Sequence, residues 1–356
     1  MAKLLHIVDA QAPYELLLQL AAVVGEQDEI VSVGPPPALP ELARPIEPHH
    51  VPFGRPGLCG RRMAGRAARA DAIHAWSEPA ALAALEAGKR TGRPACLSLH
   101  RAPSAEELGE VLLAARMGLV HPVVHTRRVR AALIRMLMPK TVVTVVPLAA
   151  AAPDARGERR RRTREALGVR DEQFLLVAPA ALARDAGHRY ATWATAIVGH
   201  IIDNVHLLVP GRGPALRSVA FFARNTGYGD RMHFTEGRLP LVDALSAADA
   251  AVFLPRRDAG LSSLAAALAA GLPVVASETP DAAELIGDGE AVAWVPPRSP
   301  REAAHVFLRL AEDREFRSRM SAAARAAAPA FAPAACRAAL DAFYDRLAAA
   351  QPIGSA

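Results

Sequence analysis

The chain has 356 residues, 51% hydrophobic and 22% charged, with a net charge of +6 and a pI of about 9.7. That length suits two domains of ordinary size, the composition excludes a disordered chain, and no run approaches the ~18 apolar residues of a membrane span. The basic excess suits phosphate-bearing ligands, anionic lipid surfaces or nucleic acid, and does not choose among them.

The three cysteines, Cys59, Cys96 and Cys336, are far apart and odd in number. They argue against a disulfide framework or a zinc site and for a reducing compartment. The opening MAKLLHIVDA carries one lysine and an apolar run that meets Asp9. It reads as a first core strand and not as a secretory leader, so the expected location is the cytoplasm.

In chain order, the first half predicts strands at 4–10, 29–34, 72–76, 95–99, 119–125 and 141–147. Helices are predicted between them at 13–25, 58–70, 79–90, 104–116 and 127–138. The second half repeats the alternation, with strands at 174–179, 205–211, 232–237, 250–255, 273–277 and 291–296. Its helices fall at 187–200, 213–227, 240–247, 262–270, 280–286, 300–311 and 313–328, and a last one at 335–350 follows a break at Pro329 and Pro333. Short apolar strands spaced by helices indicate βαβ units and parallel sheets. The expected domains are 1–165 and 166–333, with 334–356 as a helix returning to the first domain.

Where the halves meet, seven arginines and two glutamates lie between Arg156 and Arg170. Two readings fit this run: an anion-binding or lipid-facing stretch, or a solvated linker that enters a helix at RRTREALG and stops at Gly168. The linker reading is the favoured one, because charge runs are usually solvated.

Doubly wound domains bind ligands at the carboxyl ends of their strands, so the cleft between two of them is the default site. In the second half PGRGP (210–214), TEGRLP (235–240) and LPRRDAGLSS (254–263) follow three successive strands. The last opens a helix, whose free amides and partial positive charge suit a pyrophosphate. Gly260 permits close backbone approach, and Arg212, Arg256 and Arg257 supply cations. Taken singly, each loop is an ordinary βα connection.

The run from Arg231 to Met320 resembles the C-terminal domain of family 4 glycosyltransferases. The matching features are Phe234 to Gly237, ADAAVFLP, AAGLPVVAS, ELIGDG and LAEDREFRSRM. RRRTREALGVRDEQFLLVAP resembles the segment that leads into that domain, and DAIHAW, PACLSLH and TVVTVVPLA resemble strands of the first. The likeness covers nearly the whole chain and is specific between about 170 and 320. It implies an α/β protein of the GT-B fold, two Rossmann-like doubly wound parallel-sheet domains facing a central cleft. It also implies a retaining enzyme that takes a nucleotide-sugar donor and a saccharide or lipid-linked acceptor, and requires no metal.

By that resemblance Asp258 and His100 are the catalytic candidates, with His100 on the acceptor side. Gly211, Arg212, Gly213, Gly237, Arg257, Gly260, Leu261, Ser262 and Glu284 are the donor-binding candidates. Several family positions are changed. The family's pair of acids falls on Asp258 and Ala266, its arginine and lysine on Ala181 and Ala186, and its N-terminal glycine pair on Ala12 and Pro13. Arg184 and His188 are the nearest substitutes for the missing cations. A lost ribose contact alone costs about 1.5–3 kcal/mol, and cations at the leaving diphosphate give some of the strongest stabilisation in such a site.

His74 reads as a strand histidine without chemistry. Arg55, Arg61, Arg62, Arg66 and Arg69 stand on and around one helix, which reads either as a solvated face or as a dock for anionic lipid at the inner face of a membrane. Nucleic acid is not an expected partner, because the arginine clusters lack interleaved aromatics. The leading expectation is a glycosyltransferase. The alternatives are a non-catalytic relative that binds a ligand or partner, and a sugar-nucleotide epimerase, which the scarcity of acids disfavours.

Overall fold

The computed structural model describes residues 2–39, 41–42, 45–49, 56–136, 143–151, 156–287 and 289–349. Arg55, residues 137–138 of an expected helix and residues 141–142 of an expected strand lie outside them. The chain divides into two compact units: Met1–Leu148 with Pro333–Ala356, and Ala149–Ala332.

The first unit holds a seven-stranded sheet in the order β3-β2-β1-β4-β5-β6-β7, with every pair parallel. The strands are β1 (Leu4–Asp9), β2 (Glu29–Val33), β3 (Glu47–His49), β4 (Ala72–Ala75), β5 (Ala95–Leu99), β6 (Val120–Val124) and β7 (Thr144–Val145). β1 and β4 are buried along their whole length, as strands covered on both faces must be. β3, EPH, was not predicted: it has no apolar run, and its Pro48 is tolerated because the strand lies at the sheet edge. The helices are α1 (Tyr14–Val23), α2 (Pro56–Ala67), α3 (Glu78–Thr91), α4 (Ala105–Arg116) and α5 (Arg127–Arg135). α4 is interrupted at Gly109, whose φ is 46°.

The basic face of α2 is largely paired with acids. Arg66 meets Glu47 at 2.6 Å and Glu29 at 3.3 Å, Arg61 meets Glu86 at 3.4 Å, and Arg69 meets Glu29 at 3.9 Å. These carboxylates weaken the field that an anionic surface would meet.

The second unit holds a six-stranded parallel sheet in the order β10-β9-β8-β11-β12-β13. Its strands are β8 (Phe174–Val177), β9 (Val205–Val209), β10 (Met232–Phe234), β11 (Ala250–Phe253), β12 (Val274–Ser277) and β13 (Val292–Val295). Its helices are α6 (Arg156–Leu167), α7 (His188–Gly199), α8 (Leu216–Arg224), α9 (Leu241–Ala247), α10 (Leu261–Ala269), α11 (Pro280–Ile286), α12 (Pro300–Glu312) and α13 (Arg314–Ala327).

The arginine run enters a helix that stops at Gly168 (φ 68°), as the linker reading expected, and Arg159, Arg161 and Arg162 on it are exposed. It forms α6, and one helical stripe of it is built into the second unit. Arg160 donates to the carbonyls of Ala247 and Ala248 and to Asp249. Arg164, only 1% exposed, donates to Ala247 O at 2.8 Å, to Arg170 O at 2.7 Å and to Asp249 at 3.3 Å. These contacts tie α6 to the second unit, which begins at Ala149.

The last helix, α14 (Pro333–Ala349), belongs to the first unit and is held there by buried polar contacts. Arg337 donates to Asp28 Oδ2 at 2.5 Å, to Val23 O at 3.1 Å and to Ala2 O at 2.7 Å. Asp28 also accepts from the Leu4 amide at 3.0 Å and faces His6 Nε2 at 3.4 Å. The sheet register sets His6 beside His74, which is fully buried and hydrogen-bonded to the Tyr344 hydroxyl and to Ser98 Oγ. Burial drives the His74 pKa well below its ordinary value. His74 is thus a structural residue that links β4 to α14.

Candidate functional site

In the second unit the chain leaves β8 toward β9 on one side and returns through β11 on the other. The crevice outside the carboxyl ends of β8 and β11 is therefore the switch point at which such sheets hold ligands. The loops there are built against one another. Leu182 N donates to Arg212 O, and Ala215 N donates to Leu182 O, each at 2.9 Å. Gly237 N donates to Pro210 O at 2.7 Å, and Arg256 N donates to Asp185 O at 2.9 Å. The loops after β8, β9, β10 and β11 thus form one bonded edge.

Two glycines are required by this packing. A Cβ on Gly187 would stand 1.8 Å from Leu254 O, and one on Gly213, with φ at 155°, would stand 2.4 Å from Leu182 O. Gly211 lies against Ala180 O and Gly260 against the Ala180 methyl. Gly237 lies under the Arg212 side chain, in a turn where Glu236 and Gly237 have φ of 56° and 76°. Gly260 is the N-cap of α10 with φ at 74°, and Leu261 and Ser262 form the buried first turn behind it. Arg212 and Arg257 are exposed, while Arg256 is half-buried and stands 3.5 Å from Asp185.

The remaining donor-side candidates are less available. Asp258 Oδ1 accepts the Asp281 amide at 2.8 Å, so its carboxylate caps the N-terminus of α11. Thr279, the residue at that cap position, keeps its hydroxyl buried without a hydrogen-bond partner. Glu284 is exposed on α11. Ala186 and Ala266 are both buried, at 8% and 7% exposure, and Ala181 is half-buried. His188 is the first residue of α7 and is 3% exposed, and neither of its ring nitrogens has a well-formed partner. Burial pushes its pKa down to about 4 despite the nearby carbonyls of Ala178 and Ala180.

In the first unit the carboxyl ends of β1, β4, β5 and β6 carry polar groups. Asp9 takes the Gln11 amide at 2.6 Å on Oδ1 and the Ser77 hydroxyl on Oδ2. It thereby closes the β1–α1 loop in which Ala12 and Pro13 stand. His100 follows β5 and is half-buried. Its pKa is pushed down to about 4 by burial first, and then by the charge of Arg101. His125 follows β6 and its pKa is also driven to about 4 by burial. The imidazole of His125 donates from Nδ1 to Val146 O at 3.2 Å, which leaves a buried Nε2 without a partner among the described residues. With pKa values lowered to about 4, both imidazoles are neutral at pH 7.

Sequence reading had not singled out His125, Asp9 or Ser77. The signal for His125 was present as HPVVH, a strand ending in a histidine as PACLSLH does. Among the described residues no cluster of three or more histidine, cysteine or acidic side chains is placed to hold a metal, and no helix is long and apolar enough to cross a membrane.

Residues 159–327, from within α6 to the end of α13, match the family model of glycosyl transferases group 1. That match makes the second unit similar to group 1 glycosyl transferases over nearly its whole length. Among curated proteins no sequence matches the chain. Among solved structures, HepE from Anabaena in complex with UDP and glucose is similar with a TM-score of 0.79 at 16% identity, covering 97% of this chain and 100% of that one. A glycosyltransferase from Rickettsia africae has a TM-score of 0.75 at 14% identity, over 97% and 98%. Sucrose-phosphate synthase from Thermosynechococcus elongatus has a TM-score of 0.73 at 16% identity, over 98% and 100%. At these identities the likeness is one of fold. The fold is GT-B, with a parallel-sheet Rossmann-like domain in each unit. The matched span contains the switch-point edge described above, with α10 opening onto it.

Proposed function

We propose that the protein is a glycosyltransferase that takes a nucleoside-diphosphate sugar at the carboxyl edge of the second unit. The observation that carries this reading is the bonded edge of loops after β8, β9, β10 and β11 in a unit similar to group 1 glycosyl transferases. There the Gly260 and Leu261 amides open α10 toward the crevice, as a diphosphate requires. Gly211, Gly213 and Gly237 let the loops of that edge pack on one another, and Ser262 stands in the same first turn of α10. Arg212 and Arg257 supply the charge that stabilises the leaving diphosphate, a task for which no metal is then required. Transfer proceeds with retention to a saccharide or lipid-linked acceptor. His100 lines the acceptor side as a neutral imidazole. The UDP complex of the Anabaena relative makes a uridine nucleotide the first donor to try.

A second reading rests on a separate observation. Asp258 is engaged by α11, and Ala266 stands on a buried helix that offers no carboxylate. A relative that binds a ligand without transferring sugar would have this arrangement.

Calorimetric titration with UDP, GDP and ADP, followed by NMR of the bound sugar nucleotide with acceptor sugars, separates the two. Binding with formation of a product of unchanged anomeric configuration is the expected result. Binding without turnover establishes the second reading, and no binding of any nucleotide at millimolar concentration removes the first.

A further inference from the structure

At the amino-terminal ends of β11 and β12, the edge opposite the glycine loops, the second unit has a cavity of about 330 Å³. One side is a face of α13 that presents Arg317, Ser318, Ser321 and Arg325; Arg160 and Asp249 stand in the remaining wall. The volume lies at the small end of ligand pockets and suits a phosphate ester or a diphosphate.

The charge in this cavity is not balanced. Asp249 is already neutralised by Arg160 at 2.8 Å and by the buried Arg164 at 3.3 Å, and it also accepts the Leu175 amide at 2.8 Å. Arg317 donates through Nη1 to the carbonyls of Leu310 and Ala311, which are neutral groups. Arg325 donates through Nη1 to Ser321 Oγ at 2.7 Å, and that hydroxyl in turn donates to Gly271 O at 2.7 Å. Among the described residues neither Arg317 nor Arg325 is paired with a carboxylate. Two guanidinium groups without a carboxylate partner on one helix face, with the Ser321 relay orienting Arg325 and the Ser318 hydroxyl on the same wall, suit phosphate recognition.

We propose that this cavity is a phosphate-binding site, separate from the donor edge, for a phosphate carried by a soluble ester or by a lipid headgroup. Arg317 and Arg325 grip the phosphate, and Ser318 contributes a hydrogen bond. The site is built on the end of α10 remote from the donor loop, because Ser321 is bonded to Gly271 just beyond that helix.

The test titrates the intact protein with inorganic pyrophosphate by calorimetry, beside flotation with vesicles of phosphatidylglycerol. Arg325→Glu and Ser318→Asp are the variants. Both positions are exposed, and among the described residues Arg325 has only the bond to Ser321, so the melting temperature should stay at the wild-type value. Pyrophosphate should bind the wild type and bind either variant at least about tenfold more weakly. Arg325→Lys, which keeps the charge, should restore most of the affinity. Pyrophosphate binding without vesicle capture assigns a soluble ester. Vesicle capture that Arg325→Glu abolishes assigns a headgroup. Binding of neither probe at millimolar concentration, or binding that both charge-changing variants leave unaltered, overturns the site.

Discussion

Asp258 Oδ1 accepts the backbone amide of Asp281 at 2.8 Å, so the one acid on the loop before α10 is also the cap of α11. A carboxylate on a helix N-terminus satisfies an amide that the helix cannot, and it lies favourably in the helix dipole. Asp258→Ala should therefore lower stability by about 1–2 kcal/mol. Asp258→Asn keeps an acceptor oxygen and should lose less than half of that. Urea unfolding measures both, and an Asp258→Ala protein as stable as wild type would remove the cap. Calorimetry on Asp258→Asn then reads any loss of UDP affinity without a confounding loss of fold.

Arg337 is the tie between α14 and the start of the chain. Burial opposes the charge on Asp28, yet His6, Arg337 and the Gly25 amide together hold its carboxyl well below the usual range. Removing Arg337 leaves that carboxylate buried without its strongest cation. Arg337→Leu should cost about 3–5 kcal/mol, because a broken buried pair leaves an uncompensated charge. The double variant with Asp28→Leu should recover part of the loss. A double-mutant cycle by chemical denaturation gives both numbers, and additivity of the two single effects would deny the coupling.

The protein should lose stability in mild acid. His100, His125, His188 and His206 are all lowered to about 4, with burial the largest cause in each. Between that value and the ordinary histidine value near 6.5, the unfolded chain binds more protons than the folded one, so stability rises with pH across this window. The contribution is fully present above about pH 6.5 and is lost as pH falls through 4, with a slope of up to about 1.4 kcal/mol per pH unit for each histidine. Calorimetric scans from pH 7.5 to 4.5 should show a falling melting temperature, and a flat profile would contradict this account.

Gly187→Ala and Gly213→Ala test whether the switch-point edge is as tight as its distances indicate. Each new Cβ would press on a backbone carbonyl, of Leu254 and Leu182 respectively, and neither carbonyl belongs to a flexible side chain. A loss of about 2–4 kcal/mol is expected for each, beyond the ordinary penalty for alanine at positive φ. Gly65→Ala is the control, since a Cβ there meets nothing within 4 Å. Equal stabilities for all three proteins would show that the loops are not so closely packed.

Much of the architecture was legible in the alternation of apolar runs and helices, because strands buried on both faces must be apolar throughout. β3 was not legible, since an edge strand of three residues with a proline carries no such signal. The arginine run was legible only in part: its helix and its stop at Gly168 were, its buried stripe was not. Its composition is that of a solvated segment, and nothing local shows that Arg160 and Arg164, four apart on one helical stripe, meet the far end of α9 and Asp249. At the candidate site, glycine spacing after three strands marked the edge of the sheet, whereas His125 and the Asp9–Ser77 pair were invisible as a set because they come from separate strand ends.

The sequence by itself determined the two parallel sheets, the glycine-rich edge of the second and the kinship of residues 159–327 with group 1 glycosyl transferases. These follow from periodicity and from short motifs, which are properties of neighbouring residues. Only the tertiary structure decided which charges are occupied. It gave Asp258 to α11, Arg164 to Asp249 and Arg337 to Asp28, and it left Arg317 and Arg325 without a carboxylate among the described residues. The physical reason is that a charged group's partner depends on distances across the fold, between groups 23, 85 and 309 residues apart in the three cases, and such distances have no local signature in the chain.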